Sequence, residues 1–161
     1  MEESTFNSIY FDSVTIDSDI RDVIVAAISA EKLPKVSDNA IYLLPYDYNY
    51  TDPLPEFPAV SFDVVNPYTR NVDNTQIAGY TDFSIEINIY TAGENRKLNN
   101  NKIALALVAL LQSHLYMAHY SSSGFKLESM EFVTSPIDNT SRQVIRMSAT
   151  CDNKELRIFN Y

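Results

Sequence analysis

Two histidines, His114 and His119, and the single cysteine, Cys151, are the side chains best suited to ligate a metal or attack a substrate. The histidines lie in an apolar segment that reads as helix. At about 100° per residue, a spacing of i, i+5 separates them by roughly 140° around the axis. A helical two-histidine metal site needs i, i+4, so no metal site is expected. His114 reads as a core-edge residue with one ring nitrogen satisfied. Cys151 closes the alternation Ile145, Met147, Ala149, Cys151 and reads as a buried structural thiol rather than a nucleophile. The only glycines are Gly79, Gly93 and Gly124, from which neither a phosphate loop nor a dinucleotide fingerprint can be built. Carboxylates are plentiful, but no pair stands out as acid and base. Asp17, Asp19 and Asp22 read as acids that complement a helix dipole on a solvated face. Neither enzyme activity nor a cofactor is expected.

Other residues are better suited to contact than to catalysis. Tyr42, Tyr46, Tyr48 and Tyr50 crowd one short stretch, and "YDYNY" puts three rings on one side if it is extended. Tyrosine buries area while keeping a polar tip, which suits protein interfaces. Packing over their own sheet is the equally open alternative. Arg96, Lys97 and Lys102 flank the start of a second helical segment, where cations oppose the helix dipole. Either that helix begins later than its pattern indicates, or these charges serve a partner. The acidic N-terminal part of a neighbouring copy would suit them. Such a head-to-tail contact closes into a ring if the rotation allows.

Charge placement supports this division of surfaces. The chain of 161 residues carries a net charge of −9. Residues 1–63 hold 12 acidic and 3 basic side chains, whereas residues 64–161 hold 9 of each. A phosphate-gripping protein needs Lys and Arg clusters, which are missing. The acidic part reads as a solvated face, or as one that repels a polyanion or meets a basic partner. The length favours one domain, residues 1–161, with a sizeable core. No apolar run is long enough for a membrane span. The start, "MEESTFNSIYFDS", has neither the basic nor the apolar region of a signal peptide.

The elements that must position these residues follow from periodicity. Residues 15–33 read as a helix with Ile16, Ile20, Val23, Ile24, Ala27 and Ile28 on one stripe, Lys32 in the last turn and Pro34 as the stop. Short strands are expected at 40–46 and 59–65, separated by a Tyr-, Asp- and Pro-rich loop at 46–58. A polar connection at 66–80 leads to a strand over 80–91. There "DFSIEINIY" alternates apolar Phe83, Ile85, Ile87 and Ile89 with Ser84, Glu86, Asn88 and Tyr90. A second helix is expected over 100–120, apolar nearly all round and so covered on more than one side. Strands at 125–134 and 142–151 flank the turn "SPIDNTS", which suits an antiparallel pair, and "ELRIFNY" reads as a further strand. The order α-β-β-β-α-β-β clusters strands. It predicts an α+β fold, with a mainly antiparallel sheet of about four to five strands packed by two helices.

"FPAVSFDVV", a long polar loop, "GYTDFSIEINIYTAGENRK" and a following Leu/Ala-rich helix together resemble the tail-terminator proteins of long-tailed bacteriophages, the tail-completion and head-to-tail joining family. The similarity of pattern and element order spans roughly residues 15–151. It implies a non-enzymatic α/β protomer in a hexameric ring. That ring caps the finished tail tube and presents a surface to the head connector or neck protein. The protein would then be assembled in the host cytoplasm and reside in the virion. DNA would pass through without specific binding. Within that picture, loops 46–58 and 66–80 are expected to touch other subunits or rings through Tyr46, Tyr48, Tyr50, Tyr68 and Arg70. Asp47, Asp52, Glu56 and Asp63 are expected to face the lumen, with Arg96, Lys97 and Lys102 the opposite possibility. A neck or head-completion adaptor ring is an alternative. So is, in a different class, a small acidic ligand-binding domain or non-catalytic enzyme subunit.

Overall fold

The alternation over 82–90 produces the strand on which the rest of the molecule is arranged. In the computed structural model the described residues are 2–34, 40–45, 48, 56–71, 78–135 and 137–153, with side chains described at 16–34, 40–45, 48, 56–65, 82–135 and 137–152. Strand β3 (Ala78–Ala92) is flanked on one side by β2 (Ala59–Asn71) and on the other by β7 (Thr140–Asn153), both antiparallel. Beyond β2, strand β1 (Tyr42–Leu43) pairs in parallel. The far side of β7 is shared by β6 (Lys126–Val133) and β5 (Tyr120–Ser122), and β4 (Leu115–Tyr116) pairs with β5. The sheet has seven strands among the described residues, in the path β1-β2-β3-β7-β5-β4 with β6 off it on β7. Three of the seven are only two or three residues long, so the expected count matches the long strands. The fold is α+β with a mainly antiparallel sheet, as the order of periodicities predicts.

Both helices lie on one face of this sheet. Helix α1 (Glu2–Ser29) buries Ile16, Ile20, Ile24 and Ala27, with Val23 and Ile28 packed at the margin. The stripe is the one read from sequence, but the boundaries differ. The helix runs back to Glu2 and stops at Ser29, before Pro34 is reached. Lys32 donates to Ala27 O and Glu31 to Ile28 O, while Glu31 takes a left-handed φ of 55°. These are the two bonds of a Schellman stop, with Glu31 where glycine is usual, so Lys32 lies beyond the helix.

Helix α2 (Arg96–Gln112) buries Ile103, Ala104, Leu107, Val108 and Leu111 against Phe83, Ile85, Ile87, Ile89, Ile145 and Met147 of the same core. It begins four residues before and ends eight residues before its apolar pattern indicates. Two features close its end. Ser113 N donates to Leu110 O, and Phe125 N donates to Leu111 O at 2.7 Å. The returning chain passes so close that a Cβ on Gly124 (φ 127°) would lie 2.2 Å from Gln112 O. Residues 115–122 then form the β4–β5 hairpin instead of helix. Its Leu115, Met117 and Tyr120 still enter the core, and Tyr120 meets the Phe83 ring edge-on at 5.2 Å. Apolar content was read correctly, but it serves a hairpin.

The connection expected over 66–80 is a second correction. β2 continues to Asn71 and β3 starts at Ala78, so most of that stretch is an antiparallel hairpin. The register shifts between Val65 and Tyr68, where Pro67 has no N–H to donate.

Candidate functional site

The face of the sheet away from the helices is polar and follows directly from the register. Glu86 stands between Asp63 on β2 and Arg146 on β7, Asn88 between Ser61 and Val144, and Tyr90 between Ala59 and Arg142. Arg146 Nε donates to Glu86 Oε2 at 3.2 Å, and Arg142 Nε donates to Asn88 Oδ1 at 3.0 Å. The Arg142 guanidinium carbon lies 5.9 Å from the Tyr90 ring centre. Ser148 and Thr150 donate to Glu128 and Asp82. A recess of about 270 Å³ opens here, with Tyr48, Asp63, Glu86, Tyr90 and Arg142 among its walls. Asp63 is largely exposed, yet partial desolvation raises its pKa. Glu86 raises it further and Arg21 opposes. Burial also pushes the Tyr90 phenol up.

The predicted contact residues are dispersed rather than gathered. Tyr46, Asp47, Tyr50 and Asp52 lie outside the described residues. Tyr48 is half-buried against the small cluster of Leu44, Ala59 and Tyr90, with Phe57 beside it. For this one ring, packing over its own sheet is the reading that holds. Tyr68 and Arg70 are strand residues opposite Asp82 and Tyr80, and their side chains lie outside the described set. Glu56 is exposed and Asp63 is on the polar face.

Arg96, Lys97 and Lys102 are separated by function. Helix α2 does begin with Arg96, earlier rather than later than expected. The Arg96 guanidinium turns away from the helix end to Gly93 O and Asn139 Oδ1, each at 3.3 Å. Lys97 Nζ lies 6.0 Å from the Phe132 ring centre. Lys102 is exposed at the rim of a trough described below.

Several residues with structural roles escaped the sequence reading. Asp17 and Asp19 are not first-turn acids, because α1 starts far upstream and both are buried; Asp22 alone is on the solvated face. Asp17 accepts from Arg21 Nε at 2.6 Å, and Arg21 also donates to Leu44 O and covers the Phe62 ring. Burial raises the Asp17 pKa, with the Arg21 bond opposing. Asp19 accepts from His119 N, His119 Nδ1 and Tyr120 N, at 2.9, 2.7 and 2.9 Å. His119, not His114, is therefore the histidine tied to the core. His114 is exposed past the end of α2. The two are no longer related by helical spacing, and no cluster of metal-ligating side chains forms among the described residues. Cys151 is buried, with its thiol pushed up to about 12 by desolvation. Nothing in one sequence signals the Asp19 contacts, which join residues 100 positions apart.

This layered arrangement has a relative among solved structures. The fold is shared with a virion chain. A chain of the structure titled "Virion of native gene transfer agent (GTA) particle" matches with a TM-score of 0.55 over 84% of this chain and 93% of that one. Sequence identity is 13%, so the likeness is one of fold. No protein-family model matches the sequence, and no curated protein does.

Proposed function

We propose that this protein is a structural component of a phage-like virion, and specifically a tail terminator: a hexameric ring that ends the tail tube and joins it to the head connector. The observation that carries the reading is the fold match, which extends over nearly the whole of a virion chain. Element order and the "INIY" strand leading into a Leu/Ala-rich helix point the same way. The physical character of the molecule supports a building block. A stiff three-strand centre, β2-β3-β7, has one face buried by helices and one polar face held by cross-strand pairs. The larger surface trough is open and mainly apolar, unlike an enclosed ligand pocket with convergent polar groups. In this reading Asp47, Asp52, Glu56 and Asp63 turn toward the lumen, where negative charge lets DNA slide. Tyr46, Tyr48, Tyr50, Tyr68 and Arg70 touch neighbouring subunits, the tube protein or the neck.

An adaptor ring in the neck is the second reading, because a match to a whole virion favours any of its rings equally. A particle reconstruction tests both. Six copies at the end of the tube are expected. Six copies one ring higher would select the adaptor, and isolated monomers or two-fold dimers would overturn the ring.

A further inference from the structure

On the helix side of the sheet a trough of about 930 Å³ runs between the end of α1 and α2, floored by Ile28, Leu33, Ile41, Leu105 and Ala106. Leu105 is 59% exposed, and Leu98, one ridge position away, is 55% exposed. Lys102 lies between them on α2, and Lys32 stands on the opposite wall; Glu31 is the one acid on the rim. Exposed leucines in line on a helix that already buries its other faces indicate a covered surface. The chain itself contains a segment of matching chemistry. Residues 46–56, "YDYNYTDPLPE", combine three tyrosines and a leucine with Asp47, Asp52 and Glu56, and contain no cation.

We propose that this trough receives residues 46–56 of a second copy of the chain. Tyrosine rings and Leu54 would cover Leu105 and Ile41, and the acids would meet Lys32 and Lys102. The segment is anchored on the opposite side of the sheet. Leu44, Tyr48 and Phe57 at its ends pack on Ala59 and Tyr90, whose neighbours Val60 and Ile89 point into the helix-covered core. Donor and acceptor therefore occupy different surfaces of one protomer. The contact is heterologous, propagates from copy to copy, and closes when the rotation allows. Its closure at six rests on the ring reading above; the contact itself does not.

Because Cys151 is buried and its thiol poorly ionised, new surface cysteines report alone. Leu105→Cys and Tyr50→Cys proteins are prepared separately, mixed at high concentration and treated with a short bismaleimide. A cross-linked dimer is expected in the mixture and from neither variant alone, and a ladder is expected from the double variant. Lys102→Glu should lower the yield several-fold, and adding Asp52→Lys should restore it. Absence of the mixed dimer, cross-linking of the double variant only within one chain, or dimers of Leu105→Cys alone would each overturn the proposal. A reconstruction with an intact ring but no cross-link would reject this contact and leave the ring standing. A ladder that never closes would do the reverse.

Discussion

Asp19 organises more of the molecule than any other single side chain described. Its buried carboxylate takes three donors from the β4–β5 turn, two of them backbone N–H groups with no other role in a ladder. Removing it strands those donors in the interior. Asp19→Ala should cost about 3 kcal/mol, the scale of charge-assisted bonds lost together with their desolvation. Asp19→Asn, which keeps one acceptor oxygen, should cost less; urea unfolding midpoints would check both. Asp63 is the opposite case. It faces Glu86 across the β2–β3 ladder, and its pKa lies above the ordinary 3.8. The folded state then holds this proton more tightly than the unfolded chain, so ionisation costs stability at neutral pH. The cost is relieved as pH falls through the folded pKa toward 3.8. Asp63→Asn should therefore stabilise at pH 7, by up to about 1 kcal/mol on the scale of like-charged cross-strand pairs. The gain should shrink in acid, and a pH series of unfolding curves would show whether it does.

At the scale of elements, α2 depends on what closes its two ends. At its start Gly93 adopts φ 84° with open space around it, and the buried Asn100 side chain donates to Ile89 O and Ser141 O, fixing the first turns to β3 and β7. At its end Gly124 lies directly against the carbonyl of Gln112. The two glycines should respond differently to the same substitution. Gly93→Ala meets only the left-handed backbone cost, about 1 kcal/mol. Gly124→Ala adds a clash with backbone that cannot rotate away, and should cost about 3 kcal/mol or more. Thermal unfolding of the two variants measures the difference. Equal losses would mean that the hairpin can retreat from the helix end.

At the scale of the whole molecule, charge and topology act together. The excess acid lies in residues 1–63, which include α1, β1 and the segment 46–56. In the proposed ring these acids keep the channel from holding DNA. Replacing Glu56 and Asp63 with lysine should leave the ring assembled but slow genome passage, since each cation near the path adds a phosphate contact. Ejection rates from particles carrying the variant are the measurement. Unchanged rates would assign the acids to solubility or partner choice instead.

Much of the architecture is legible in the chain because it is local. Period two over Phe83–Tyr90 defines the central strand and its two faces, and the isoleucine stripe defines the buried side of α1. The scarcity of glycine rules out phosphate loops before any fold is known. What sequence could not supply are facts about contacts between distant residues. Leu115, Met117 and Tyr120 are apolar enough for helix. Only the passage of Gly124 against Gln112 and the grip of Asp19 make them a hairpin. Asp17 and Asp19 have the composition of surface acids. They are core residues because Arg21 and the His119–Tyr120 backbone reach them. Burial and pairing are settled by packing across the sheet, to which a one-dimensional pattern has no access.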